Sequence, residues 1–425
     1  MERVNDLRQF LDSAHSVFHA AAAVVERLEN AGYKRLKEVN EWTLVPGGKY
    51  YLTRNDSAVI AFRAPEGTPK GFLFSASHTD RPCFKVKENG VQADKYTRLL
   101  VERYGGAVNV TWVDRPLSVA GRVLVETQTG LQSKLVDFDR DLLLIPGVAP
   151  HMTRSNENYK WNVAVDNIPL LGSKASADKF WSALEEMAGG KVIGHDLYLY
   201  IRQESTVWGL ENEFLSAAAL DDLECAWGCT NGFLNAKPTD NIPVLCVFDN
   251  EEVGSGSYQG AAADFLQSAV VRICEALALD AHRMLPKSFM VSADNGHAIH
   301  PNHPEYADVA NAPVVNGGVM VKFQAEQRYT TDGLSAAIFR KICQKAGVPV
   351  QTYCNRADIA GGSTLGRVSI SQVAVPSVDI GMAQLAMHSC YETAGVQDAV
   401  YLADAMTAYY GAQLDFDGES GWEIG

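Results

Sequence analysis

Positive charge is scarce in this sequence and nowhere concentrated. Lys and Arg number 37 against 51 Asp and Glu, a balance of 37 − 51 = −14. With no basic block, neither a nucleic acid nor an anionic membrane is an expected partner. Long apolar runs are missing too. No uncharged apolar stretch reaches the roughly 18 residues of a membrane span, and the most apolar helical segment, AAADFLQSAVVRICEALALDA, is broken by Asp264, Arg272 and Glu275. Cysteine is sparse, eight residues in 425, several inside apolar runs. That usage points to buried reduced thiols rather than a disulfide framework, and Cys225 and Cys229 lack the second ligand pair of a zinc knuckle. The opening segment carries charges throughout instead of the apolar stretch of a signal peptide, so a cytoplasmic location is expected. Internal repeats and low-complexity tracts are absent. What is present, 47% hydrophobic and 21% charged residues, is the composition of a folded chain long enough for more than one compact unit.

Periodicity divides that chain. Leu7, Phe10 and Leu11, then Val17, Ala21, Val24, Val25 and Leu28, recur at helical spacing up to a stop at Ala31-Gly32. LTRNDSAVIAFRA and GFLFSAS follow as apolar strand-like runs around the turn-rich PEGTPK. From about residue 91 to 215 short alternating runs take over (GAVNVTWVD, SVAGRVLVET, RDLLLIPGVA, HDLYLYIRQ), with one helical piece at SADKFWSALEEMAGG. Beyond, helical stretches alternate with IPVLCVFD, KSFMVSAD, GVMVKFQ, VPVQTYC and SQVAVPSVDIG. The pattern predicts an α/β domain from 1–90 and 216–425, a sheet flanked by helices, interrupted by a β-rich insert at 91–215.

Potential metal-binding side chains gather where the strands of the α/β part end. GFLFSAS leads into His78 and Asp80, IPVLCVFD into Asn250, Glu251 and Glu252, SFMVSA into Asp294 with His297 and His300 behind, and SVDIGMAQLAM into His388. Ligand crevices of open α/β sheets lie outside the carboxyl ends of the strands, so these groups can converge. Imidazoles and carboxylates without thiolates suit Zn²⁺, Mn²⁺ or Co²⁺, and one carboxylate can bridge two ions. Neighbouring Glu251 and Glu252 can divide the work, one binding metal and the other holding a nucleophilic water. Asp80, two residues beyond His78, can orient that imidazole. Asp221-Asp222 joins the set or merely caps a helix; His297, His300 and His303 are also compatible with a plain surface.

The blocks SASHTDRPCFKVK, LDDL, VFDNEEVGSGSYQG, SADNGHAIHPN, VKFQAEQRYTTDG, GGSTLG and QLAMHSCYE, in this order, resemble the M18 aminopeptidases, the aspartyl aminopeptidase family of co-catalytic zinc exopeptidases. The likeness runs from about residue 6 to about 410. It implies an aminopeptidase that removes the N-terminal residue of peptides with a free N-terminus, with two divalent ions, Zn²⁺ or alternatively Co²⁺ or Mn²⁺. His78, Asp221, Glu252, Asp294 and His388 would be ligands, Asp221 the bridge, Asp80 the partner of His78, and Glu251 the general base. The Asp221–Asp222 peptide is expected to be cis. His297 and Lys322 would contact substrate and favour acidic Asp or Glu at its N-terminus. His151 in the insert would reach a neighbouring subunit's active site, or serve as a ligand, in a dodecamer built from dimers. Arg81, Asp222 and Tyr391 depart from the family's common residues; Arg81 is expected to strengthen an acidic preference. A related carboxypeptidase or deacylase with the same centre, and a scaffold without catalysis, are the alternatives.

Overall fold

The computed structural model of the chain describes residues 1–153 and 160–425. Its frame is a sheet in which nine strands, among the described residues, lie in the order Lys34–Arg35, Lys49–Arg54, Ala58–Arg63, Ile242–Phe248, Phe72–His78, Phe289–Ala293, Ser377–Gly381, Val319–Phe323 and Val350–Cys354. The four from Ile242–Phe248 to Ser377–Gly381 are mutually parallel. Helices cover both faces, which is why these strands read as unbroken apolar runs; every residue of Ile242–Phe248 and Phe72–His78 is buried. One face carries Leu220–Asn235, Val396–Gly411, Gly333–Ala346 and the N-terminal helices; the other carries Phe265–Ala276.

The N-terminal periodicity is realised as two helices, Glu2–Ser13 and Val17–Asn30. Ser16 starts the second by accepting a hydrogen bond from the His19 N–H, a cap that single-period counting passes over. LTRNDSAVIAFRA becomes a hairpin in which Arg54 pairs with Ala58 across a three-residue loop, Asn55 and Asp56 both taking positive φ, 55° and 54°, and Ser57 N donating to Arg54 O at 3.3 Å.

The β-rich insert is a six-stranded antiparallel sheet in the order Leu131–Asp137, Leu117–Glu126, Val192–Ile201, Cys83–Ala93, Tyr96–Tyr104 and Leu170–Ser173. It therefore begins at Cys83 rather than 91, and its last strand ends at Ile201 rather than near 215. Alternation along a strand says nothing about which sheet that strand joins. Residues past 205 enter a third sheet, in which Thr206–Trp208 and Phe214–Ala217 pair on towards Glu392–Gly395, Ala383–Leu385 and Gly296–His297. GAVNVTWVD, expected as a strand, instead makes a 3₁₀ turn at Asn109–Trp112. The helical piece appears as Lys179–Ala188 and buries Phe180, Leu184 and Ala188. Val17 and Phe18 lie in the insert's own apolar cluster, and the Arg122 guanidinium stacks 4.4 Å from the Phe18 ring. All eight cysteines are free thiols. Among the described residues, no helix is long and apolar enough to cross a membrane.

Helices Leu220–Asn235 and Val396–Gly411 approach closely through glycine. A Cβ added at Gly232 would lie 2.4 Å from Met406 Cβ, and one at Gly228 would lie 2.5 Å from Leu402 Cγ. Helix propensity favours Ala over Gly by about 1 kcal/mol, whereas overpacking costs about 1–3 kcal/mol, so the clash wins. Gly232→Ala should lower the urea midpoint with an unchanged slope; a higher midpoint would show that the helices separate at little cost.

Candidate metal centre

Three adjacent parallel strands deliver the chemistry side by side. Phe72–His78 ends on His78, Ile242–Phe248 runs into Asp249–Glu252, and Phe289–Ala293 into Asp294. Phe248 pairs directly with His78, and the next N–H, of Thr79, donates to Phe248 O at 2.8 Å. Asp221 and Asp222 come from the start of the helix lying across this sheet, joined by a cis peptide as expected. His388 comes from the loop after Ala383–Leu385, at φ +66°.

Asp80 organises the cluster. Its fully buried carboxylate accepts from Glu251 N at 3.0 Å, Glu252 N at 3.1 Å and the Tyr104 hydroxyl at 2.7 Å, and lies 3.2 Å from His78 Nδ1. With Nδ1 so engaged, His78 Nε2 faces Asp221 Oδ1 at 3.7 Å and Asp222 Oδ2 at 4.0 Å. On the other side of Asp221, His388 Nε2 lies 3.5 Å from Asp221 Oδ2 and 3.5 Å from Glu252 Oε2. Potential ligand atoms of His78, Asp221, Asp222 and Asp294 fall within 4.8 Å of one another, as do those of Asp221, Glu252 and His388, and those of His78, Glu251 and Glu252. Asp221 belongs to the first two groups, where a bridging carboxylate has to be.

The donor set fits divalent metal. Asp221 Oδ1, Asp222 Oδ1 and Glu252 Oε1 are buried and have no hydrogen-bond partner among the described residues, a costly condition for carboxylates. Cations at these points would satisfy all three, and carboxylate with imidazole suits Zn²⁺, Mn²⁺ or Co²⁺. Burial and mutual repulsion are visible in the acids: Glu251 is pushed up to about 8, mainly by burial and further by Asp294, Asp80 and Asp221. Burial likewise lifts Asp294 to about 6 against the pull of Lys322. In His78 burial disfavours the charged ring, yet Asp222 and Asp80 outweigh it and hold the imidazole well above its ordinary value.

Other expected site residues are placed differently. Lys322 is buried, its ammonium donating to Asp294 O at 2.7 Å and Asn295 O at 3.2 Å and lying 3.7 Å from Asp294 Oδ1. Its charge is thus committed to the Asp294 turn rather than open to a side chain of substrate. His297 is exposed and lines a cavity of about 630 Å³ with Tyr306, Asn311, Tyr353, Arg356 and Ala386. Arg81 turns away to donate to the carbonyls of Ala14 and His15, which removes the reason to give it a part in substrate choice. The Tyr391 hydroxyl donates to Glu204 O. His151 is exposed on the short helix Pro150–Thr153 and joins none of the three potential ligand groups.

Two functional residues escape sequence reasoning. Tyr104 comes from the insert, and its hydroxyl also accepts from Asn250 Nδ2 at 2.8 Å. Glu392 is buried, accepting from Asp221 N at 3.0 Å and His388 N at 2.7 Å. It closes the HSCYE block in plain view, but an acid four residues past a histidine has no distinguishing spacing of its own.

The chain is similar to known proteins along nearly its whole length. The family model described as aminopeptidase I zinc metalloprotease (M18) matches residues 10–410. The probable M18 family aminopeptidase 2 of Clostridium acetobutylicum is 38% identical over 427 residues, covering 96% of this chain and 99% of that protein. Among solved structures, the Ape4 chain in a complex with Nbr1 superposes with a TM-score of 0.92 at 31% identity, covering 96% of this chain and 85% of that one. The mApe1 dodecamer of S. cerevisiae superposes at 0.84 with 25% identity and 96% coverage of both.

The Glu392 contacts carry a consequence for metal binding. Glu392→Ala leaves two buried N–H groups of potential ligand residues without an acceptor, each costing about 1–3 kcal/mol. The protein should stay folded by circular dichroism but bind Zn²⁺ at least about tenfold more weakly in a chelator competition, as for lost partners of ligands generally. Unchanged affinity would show that Asp221 and His388 hold their places without it.

Proposed function

The chain belongs to the M18 family of zinc metalloproteases, and from that membership we propose a dinuclear aminopeptidase whose ligands are His78, Asp221, Glu252, Asp294 and His388. The chain is an aminopeptidase by family, hydrolysing peptides at the N-terminus, so a carboxypeptidase, a deacylase or an inert scaffold is no longer an equal reading. The single observation that supports two ions is the position of Asp221, shared between the His78–Asp222–Asp294 group and the Glu252–His388 group. Bound Zn²⁺, or Co²⁺ or Mn²⁺ in its place, supplies Lewis-acid polarisation of the scissile carbonyl and lowers the pKa of water.

The chain's own residues do the rest. Glu252 turns to His388, whereas Glu251 stands with its carboxyl beside His78 and Glu252. In this reading Glu251 is the base which takes a proton from the attacking water and returns it to the leaving amine. Asp80 fixes both glutamates through their N–H groups, so the base and its neighbour move together. Lys322 holds the Asp294 turn through its carbonyl and carboxylate.

We propose further that acidic first residues are preferred. The cavity beside His297 is the proposed place for that side chain: His297 and His300 line it, while Arg356 is paired with Asp358 and His303 with Glu305. The insert is proposed to serve assembly, with His151 reaching a partner's site in a dodecamer built from dimers, in keeping with the dodecameric mApe1 neighbour. A cytoplasmic place of work is part of the same proposal.

Four measurements test these points. Chelation should abolish peptidase activity and Zn²⁺ or Co²⁺ should restore it. Glu251→Gln should retain metal yet lose at least about 10²-fold in kcat, whereas loss of metal on this change would exchange the roles of Glu251 and Glu252. In a panel of matched peptides, kcat/KM should be higher for Asp and Glu than for Leu and Ala, and His151→Ala should lower every value without lowering metal content. A wild-type preference for Leu would end the acidic reading and leave a general aminopeptidase.

A further inference from the structure

One stretch of the insert sheet reaches the metal centre within the same chain. The strand Tyr96–Tyr104 ends on the tyrosine whose hydroxyl donates to Asp80. The next residue, Gly105, has φ +68°, and a Cβ built there would stand 3.1 Å from Glu252 Cβ. A Cβ on Gly106 would stand 2.9 Å from His388 Nδ1 and 3.3 Å from its Cε1. Val108 N donates to His388 O at 3.0 Å, and Cys390 N donates to Thr111 Oγ1 at 3.0 Å. Between them these residues touch the partner of His78, the Glu252 side chain and both the ring and backbone of His388.

His388 has particular need of such a support. A non-glycine residue at φ +66° persists where its surroundings over-determine it. Glu392 holds its N–H, Val108 its carbonyl and Gly106 the Nδ1 edge of its ring. With Gly106 packed against its Nδ1 edge, the ring turns Nε2 to Asp221 and Glu252, each at 3.5 Å. Any side chain at 106 would occupy the space of the ring.

We propose that Tyr104–Val108 is a positioning element for the metal centre, and that glycine at 106 is required for His388 to face Asp221 and Glu252. The inference rests on the dinuclear reading above. The insert is then part of the active-site wall of its own chain, apart from any part in assembly.

Gly106→Ala tests this against Gly130→Ala, a glycine of the same unit whose added Cβ would meet nothing within 4 Å. Zinc stoichiometry, zinc affinity by chelator competition, thermal midpoint, kcat and KM are read on each. Gly106→Ala should bind one zinc as wild type and the second at least about tenfold more weakly, with kcat falling more than KM changes; Gly130→Ala should match wild type. Two zincs held by Gly106→Ala with wild-type affinity would overturn the proposal, as would equal weakening by Gly130→Ala. If wild type takes a single zinc, the dinuclear reading fails by itself, and the positioning role falls with it only if Gly106→Ala holds that zinc equally well. Should Gly106→Ala not fold, Tyr104→Phe keeps the ring and removes the hydroxyl from Asp80; a drop in zinc affinity or kcat at an unchanged thermal midpoint supports the positioning role, and wild-type values overturn it.

Discussion

A buried carboxylate that accepts from four directions holds this site together. Asp80 lies beneath the His78 ring, takes the N–H groups of Glu251 and Glu252, and receives the Tyr104 hydroxyl from another sheet. A charge so far from water is tolerable only when its oxygens are fully engaged, and here each donor belongs to a group whose direction matters. The hydrogen bonds that engage Asp80 therefore also aim the imidazole, set the backbone of the glutamate pair and seat the insert.

Around this anchor the chain gathers Asp221, Asp222, Glu251, Glu252 and Asp294 against His78, His388 and Lys322. Without cations such a cluster opposes folding, since like charges repel more strongly where water is excluded. The surrounding fold is correspondingly firm. Parallel strands hydrogen-bonded on both sides carry His78, Glu251 and Asp294, and the helix beginning at Leu220 packs through glycine against Val396–Gly411. Metal affinity and the rigidity of this frame are two sides of one balance.

The two larger sheets are joined where their functions meet. Phe18 and Arg122 close the contact on the helical side, while Tyr104, Gly105, Gly106 and Val108 close it over the ligands. The insert thus continues the packing of the α/β domain, and the third sheet, which carries Glu392 and leads to His388, lies along the same seam.

Local pattern was enough for much of this. Apolar runs ending in His78, Glu251-Glu252 and Asp294 marked strand ends, and a parallel sheet necessarily brings such ends to one edge, so most of the candidate ligands were legible from residue type and position. The M18 motifs added the roles within that set. Tertiary structure alone decided where Cys83–Ala93 belongs, because alternation is the same in whichever sheet a strand pairs. It likewise buried the Lys322 ammonium against Asp294, turned Arg81 towards Ala14 and His15, and brought Tyr104 and Glu392 to the ligands. Each of these depends on contacts between segments far apart in the chain, and hydrogen bonds of that kind leave no period, spacing or composition for a sequence to display.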